Sequence, residues 1–165
     1  MTSPRPPPNF YRVQHDQSFT EYDDGRFESK AHYVMNYHHW VNAKKFHQHL
    51  DWKSRVEAEY SPFISVFDNK ADAKERARFH LERGCKGVFI AQISSQSLRP
   101  TTLEIESSEK IVNLPAWEDP VTGCIFLSTP DVRLYLGVDS RQSSVSEWFA
   151  LDCISEELIT RTTHC

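Results

Sequence analysis

Apolar positions along this chain fall into short runs separated by polar stretches, the pattern of a domain built from short elements. Phe10-Tyr11-Arg12-Val13 is aromatic and β-branched and predicts a first strand. The stretch from Asp16 to Arg26 is polar, with a turn marked at Asp24-Gly25. Neither proline nor glycine occurs between Glu28 and Trp52. Within it Val34, His38, Val41, Lys45 and His49 recur at helical spacing, flanked by Met35 and Leu50, which predicts one helix or two short ones. Ser61-Pro62-Phe63-Ile64-Ser65-Val66-Phe67 then reads as a strand with proline confined to its start.

The next helix carries the clearest signals. A short side-chain oxygen at Asp68 or Asn69 can accept an orphan backbone N–H. Ala73, Ala77 and Leu81 line one face, and Gly84 supplies a stop. Gly87-Val88-Phe89-Ile90-Ala91-Gln92-Ile93 predicts a strand. Farther on, Leu103-Glu104-Ile105 and Lys110-Ile111-Val112 read as short strands, and Trp117 to Gly123 as a loop. Ser128-Thr129-Pro130-Asp131 predicts a helix start, proline being suited to the first turn, with the helix running to Gly137. A polar loop covers Arg141 to Ser144, and Glu147-Trp148-Phe149-Ala150-Leu151-Asp152 predicts the last strand. The four prolines in residues 1–8 suggest a disordered lead-in to a single domain over 9–165. Helices and strands in this mixture predict an α+β class.

Composition narrows the setting. A chain of 165 residues, 39% hydrophobic and 12% aromatic, can bury a core without help from a disulfide or a metal. Cys85, Cys124, Cys153 and Cys165 form no Cys-x-x-Cys pair and are read as reduced thiols of a cytoplasmic protein, with secretion as an effector or toxin left open. A net charge of -4 gives no basic footprint for duplex nucleic acid. No run reaches the roughly 18 apolar residues of a membrane span. The opening MTSPRPPPNF lacks the apolar core of a secretory signal.

Three predicted strands each set one polar residue in an apolar frame: Arg12 in FYRV, Ser65 in SPFISVF and Glu147 in SEWFALDCIS. In this order, with a helix directly after the second, they resemble the arginine–serine–glutamate class of ADP-ribosyltransferases, which includes bacterial toxins and the insect pierisins. The likeness spans Asn9 to Ile159 as three motifs in sequence. The chain also resembles fungal domains of unknown function that share the YRV, SPFISVF and E-W patterns. The first resemblance implies a split β-sheet core with flanking helices, and NAD as substrate. Glu147 would be the catalytic residue, accepting a hydrogen bond from the ribose 2′-hydroxyl and stabilising charge that develops only in the oxocarbenium-like transition state. Arg12 would hold the NAD phosphate or ribose through its fork of donors. Ser65 would hold the ribose and orient Glu147, and the backbone of Val13 would meet the nicotinamide amide. The implied reaction is ADP-ribosyl transfer to a macromolecular acceptor or hydrolysis of NAD. A catalytically silent binding or interaction domain on the same fold is the alternative. Val145 stands where arginine-modifying members carry a carboxylate or amide, which counts against a protein arginine as acceptor. Ser65-Val66-Phe67 likewise departs from the family's serine-threonine-serine run.

Taken singly, each of these residues has an ordinary reading. A strand arginine pairs with a surface carboxylate, a strand serine bonds locally, and a glutamate before Trp-Phe is an edge charge. His32, His38, His39, His47 and His49 cluster without a His-x-x-x-His pair and predict no metal site. With Tyr33, Tyr37, Trp40 and Phe46 beside them, they read as an aromatic helix surface. His15, three residues past Arg12, is read as a loop histidine near the nicotinamide end that the resemblance implies. Glu156 and Glu157 read as carboxylates of a first helical turn. Nothing resembles a phosphate loop or a dinucleotide-binding glycine fingerprint.

Overall fold

A computed structural model of the chain describes residues 3–29, 62–107, 110–137 and 145–165. The helix expected over 34–50, its histidines and the polar loop 141–144 lie outside these residues. Eleven strands and two α-helices are described. They are β1 (Asn9–Gln14), β2 (Glu21–Asp23), β3 (Arg26–Glu28), β4 (Phe63–Phe67), α1 (Lys70–Glu82), β5 (Phe89–Ser94), β6 (Arg99–Ser107), β7 (Lys110–Glu118), β8 (Ile125–Ser128), α2 (Thr129–Leu136), β9 (Glu147–Leu151), β10 (Cys153–Ile154) and β11 (Ile159–His164). Strands hold 47% of the described residues and helices 20%. The expected α+β class with a split sheet is therefore corrected. The fold is predominantly antiparallel β, built on one eight-stranded sheet of order β11-β5-β1-β4-β9-β8-β7-β6 and a separate three-stranded sheet of order β10-β3-β2.

The sequence patterning passes over several strands, among them the fully buried β8 and the mostly exposed β11. β6 and β7 pair over nine positions, from Arg99 with Glu118 to Ser107 with Lys110. The short strands expected at Leu103-Glu104-Ile105 and Lys110-Ile111-Val112 are the part of that hairpin nearer its turn, and the remainder runs through Pro100 and Pro115. Both are accommodated: β6 is an edge strand, and β7 pairs with β8 only at Trp117 and Glu118. β11 is polar and mostly exposed, and it adds to β5 as the other edge. Glu156–Leu158 forms a short 3₁₀ turn ahead of it, so the two glutamates do stand at a helical start.

The helices follow their caps. Asn69 Oδ1 accepts from the Asp72 N–H at 2.8 Å at the head of α1, and Ser128 Oγ accepts from the Asp131 N–H at 3.2 Å at the head of α2. Ala73 and Ala77 are buried as the pattern predicts, but Leu81 is 44% exposed and lies outside the cluster that they form with the sheet. Gly84, at φ 82°, ends α1 in the left-handed region.

Strand alternation gives the large sheet two different faces. Phe10, Ile64, Val66, Phe126, Trp148 and Ala150 point to one face and pack with Phe27 and Ile154 of the small sheet. Val13, Phe67 and Ile90 point to the other, under Ala73 and Ala77 of α1, while Phe63, Leu127 and Phe149 lie on that same face under Val132 and Leu136 of α2. The chain passes from β9 to β10, hence from the large sheet to the small one, through Asp152 at φ 73°, a left-handed geometry that Asp tolerates better than most residues. Residues 3–8 carry no regular structure but lie against the domain. The Ser95 hydroxyl and N–H donate to the Pro7 and Pro8 carbonyls, and the Ser3 hydroxyl donates to Asp131 Oδ1 at 2.9 Å. Among the described residues, no helix is long and apolar enough to cross a membrane.

Two outcomes follow for stability. Phe10 is fully buried, stacked on Phe126 at 5.0 Å and beside Trp148 at 5.1 Å. Phe10→Ala should cost about 3–5 kcal/mol in urea unfolding. Asp119 anchors the turn between β7 and β8: its Oδ2 accepts from the Thr122 N–H at 2.8 Å and hydroxyl at 2.5 Å. Burial pushes its carboxyl up, but these bonds, with others from Ser97 and Val121, outweigh burial and hold it below the usual value. A depressed folded value means that its stabilisation is present above the unfolded value, about pH 4, and is lost as pH falls through the folded one. Asp119→Asn should lower the melting temperature at neutral pH and flatten its fall in acid, read by thermal melts across pH.

Candidate functional site

The three strands carrying Arg12, Ser65 and Glu147 are neighbours in the large sheet, in the order β1, β4, β9. β4 and β9 pair fully, with Ser65 opposite Phe149 and Phe67 opposite Glu147. Paired residues share a face, so Ser65 and Glu147 both belong to the face that α1 and α2 cover. As diagonal neighbours on adjacent strands they lie roughly 7–8 Å apart at their Cα atoms. Glu147 is buried, at 8% exposure.

Arg12 departs from the expected arrangement. Tyr11 pairs with Phe67, so alternation sends Arg12 to the opposite face, with Phe10 and Gln14. Its guanidinium nevertheless reaches β4. Nη1 donates to the Ser65 carbonyl at 2.9 Å, while Nε and Nη2 donate to Gln14 Oε1 at 3.2 and 2.9 Å. Gln14 Nε2 in turn donates to the Thr20 carbonyl at 2.6 Å. This chain of bonds ties the turn after β1, β1 itself and β4 together where the ladder is thinnest. β1 pairs with β5 at six positions but with β4 only at Tyr11–Phe67. Past Tyr11, then, the backbone of Val13 has no ladder partner on β4, while its side chain is buried under α1.

The start of β9 is where both helix heads meet. The Asp68 N–H, just before the α1 cap, donates to the Ser146 carbonyl at 2.8 Å. The Thr129 hydroxyl at the head of α2 donates to the Glu147 carbonyl at 2.5 Å. Ser146, and after it Asn69, hydrogen-bonds the Asp72 carboxylate and holds it below the ordinary carboxylate value. Val145, two residues before Glu147, is 67% exposed.

Two further groups were not singled out as sites from sequence. The four cysteines are free thiols. The Cys153 thiol donates to Cys124 Sγ, which holds Cys124 below the usual thiol value and pushes Cys153 above it. Separately, His15, His80 and Cys85 bring one ligand atom each to within 4.8 Å of one another. The sequence signal for the second group was faint: His80 and Cys85 straddle the Gly84 helix stop, and His15 is remote from both.

Arg12 therefore bears on the β1–β4 seam. Removing it takes two bonds from the Gln14 amide oxygen and one from the Ser65 carbonyl in a part-buried setting. Arg12→Ala should destabilise by about 1–3 kcal/mol, and Arg12→Lys, a point charge without the fork, should recover only part of it in urea unfolding.

A family model described as Domain of unknown function (DUF7587) matches residues 5–165. No curated protein and no solved structure matches the chain. With nearly its whole length covered by that one model, the chain belongs to the DUF7587 family.

Proposed function

We propose that this domain binds NAD along the β1–β4–β9 strands and breaks the bond between nicotinamide and ribose, passing ADP-ribose to a macromolecular acceptor or to water. The observation that carries the reading is the pairing of β4 with β9, which puts Ser65 and the buried Glu147 on one face at a spacing that a single ribose can span. Nicotinamide would leave with the bonding pair, and the acceptor oxygen or nitrogen would form the new bond. The Glu147 carboxylate would accept from the ribose 2′-hydroxyl and oppose the positive charge that grows on the sugar. Helix heads tied to Ser146 and Glu147 present the positive ends of two helix dipoles nearby, a setting that suits a substrate with two phosphates.

Arg12 takes a different part from a phosphate clamp in this reading. With three of its donor contacts spent on Gln14 and the Ser65 carbonyl, it is a positioning residue that fixes Ser65. The same contacts favour a second reading, a binding domain without turnover, since an arginine so engaged serves the seam whether or not chemistry occurs. Exposed Val145 in place of a second carboxylate or amide points the same way for a protein arginine acceptor.

Nicotinamide release from NAD decides between them. The parent should release nicotinamide, and Glu147→Gln, nearly equal in volume, should lower the rate by about 100–1,000-fold while the circular dichroism spectrum is retained. Equal turnover by parent and variant sinks the assignment of Glu147. NAD binding by the parent with no nicotinamide released supports the silent domain.

A further inference from the structure

We propose that His15, His80 and Cys85 form a binding site for a divalent transition cation of the zinc class, with a water in the fourth position. Their ligand atoms lie within 4.8 Å of one another. Two imidazoles and a thiolate are the donors that borderline and soft cations prefer over magnesium or calcium.

The backbone explains why three residues so far apart in sequence converge. Helix α1 ends in a Schellman motif: the Gly84 N–H donates to the Leu81 carbonyl at 3.0 Å, and the Cys85 N–H to the His80 carbonyl at 3.0 Å. In that motif the residue after the glycine folds back against the last helical turn, here setting Cys85 beside His80. His15 arrives from the turn after β1, which is closed by the Ser18 N–H on the His15 carbonyl and by the His15 N–H on Ser18 Oγ. A reciprocal pair then locks the two turns together. The Asp16 N–H donates to the Lys86 carbonyl at 3.0 Å, and the Lys86 N–H donates to Asp16 Oδ1 at 3.1 Å. The imidazoles of His15 and His80 end with ring centroids 4.1 Å apart.

The immediate surroundings set the terms of binding. Nδ1 of His15 accepts from the Gln17 N–H at 3.1 Å, so the neutral ring carries its lone pair there, and a cation takes that pair over from one exposed hydrogen bond. Burial, and after it the Arg12 guanidinium, hold the His15 imidazole below its usual value, against the Asp16 carboxylate. Coordination deprotonates the Cys85 thiol, and the proton passes to solvent. Tetrahedral bonds of about 2.0–2.3 Å would tie the turn after β1 to the end of α1.

Dialysis of the full chain against zinc, with the metal counted per chain, and titration with cobalt test the site. The parent should take up one equivalent of zinc, and cobalt should produce tetrahedral visible bands with a thiolate charge-transfer band in the near ultraviolet. Cys85→Ala should abolish the near-ultraviolet band and weaken zinc binding by more than the ~10–100-fold that loss of an outer-shell partner costs. Because Cys85 also packs under α1, His80→Ala and His15→Ala provide a second check: each should collapse the tetrahedral bands while the circular dichroism spectrum is retained. Cys165→Ala, at the exposed end of the chain, should change nothing. The proposal is overturned if the parent gives no thiolate band, or if Cys85→Ala binds zinc as tightly as the parent.

Discussion

The large sheet depends on the seam between β1 and β4. On one side stand β11, β5 and β1, and on the other β4, β9, β8, β7 and β6. Across the seam the ladder supplies a single register pair, Tyr11 with Phe67. The Arg12 guanidinium adds what the ladder lacks. Hydrogen bonds from an ionised group contribute about 1.5–3 kcal/mol, roughly twice a neutral bond. The apolar sandwich over the seam contributes the rest, with Phe10 from β1 against Trp148 from β9. A polar clamp and an aromatic contact thus reinforce two strand groups that share one register pair.

That constraint also defines the candidate site. Arg12 fixes the Ser65 carbonyl from one face of the sheet, while the Ser65 and Glu147 side chains occupy the other. The β4–β9 ladder then sets the spacing between those two residues with no loop involved, and the N-terminal ends of α1 and α2 hold the start of β9 in place. Side chains carried on paired strands are positioned more firmly than side chains on loops, which suits a group that must meet charge only in a transition state.

The same seam continues into the turn that follows β1. Gln14 links Arg12 to the Thr20 carbonyl, and the turn between them carries His15 and Asp16, the second clasped to Lys86 beyond α1. A cation held by His15, His80 and Cys85 would brace the same turn that Gln14 braces from its other end. Geometry at the end of α1 and geometry at Arg12 are in this way two ends of one hydrogen-bonded path.

Much of the local structure was decided by the sequence itself. Caps at Asn69 and Ser128, stops at Gly84 and Gly137, the turn at Asp24-Gly25 and the strands around Arg12, Ser65 and Glu147 all follow from short-range chemistry acting within a few residues. Strand neighbours were another matter. The polar strand β11 forms only because β5 offers it an edge, and the β6–β7 hairpin runs through two prolines because β6 is an edge strand and β7 pairs with β8 only at Trp117 and Glu118. Those non-local pairings made the fold mainly β. Tertiary structure alone also put Arg12 across the sheet from Glu147 and brought His15 to His80 and Cys85. Face and partner depend on register between distant strands, which no single stretch of sequence contains.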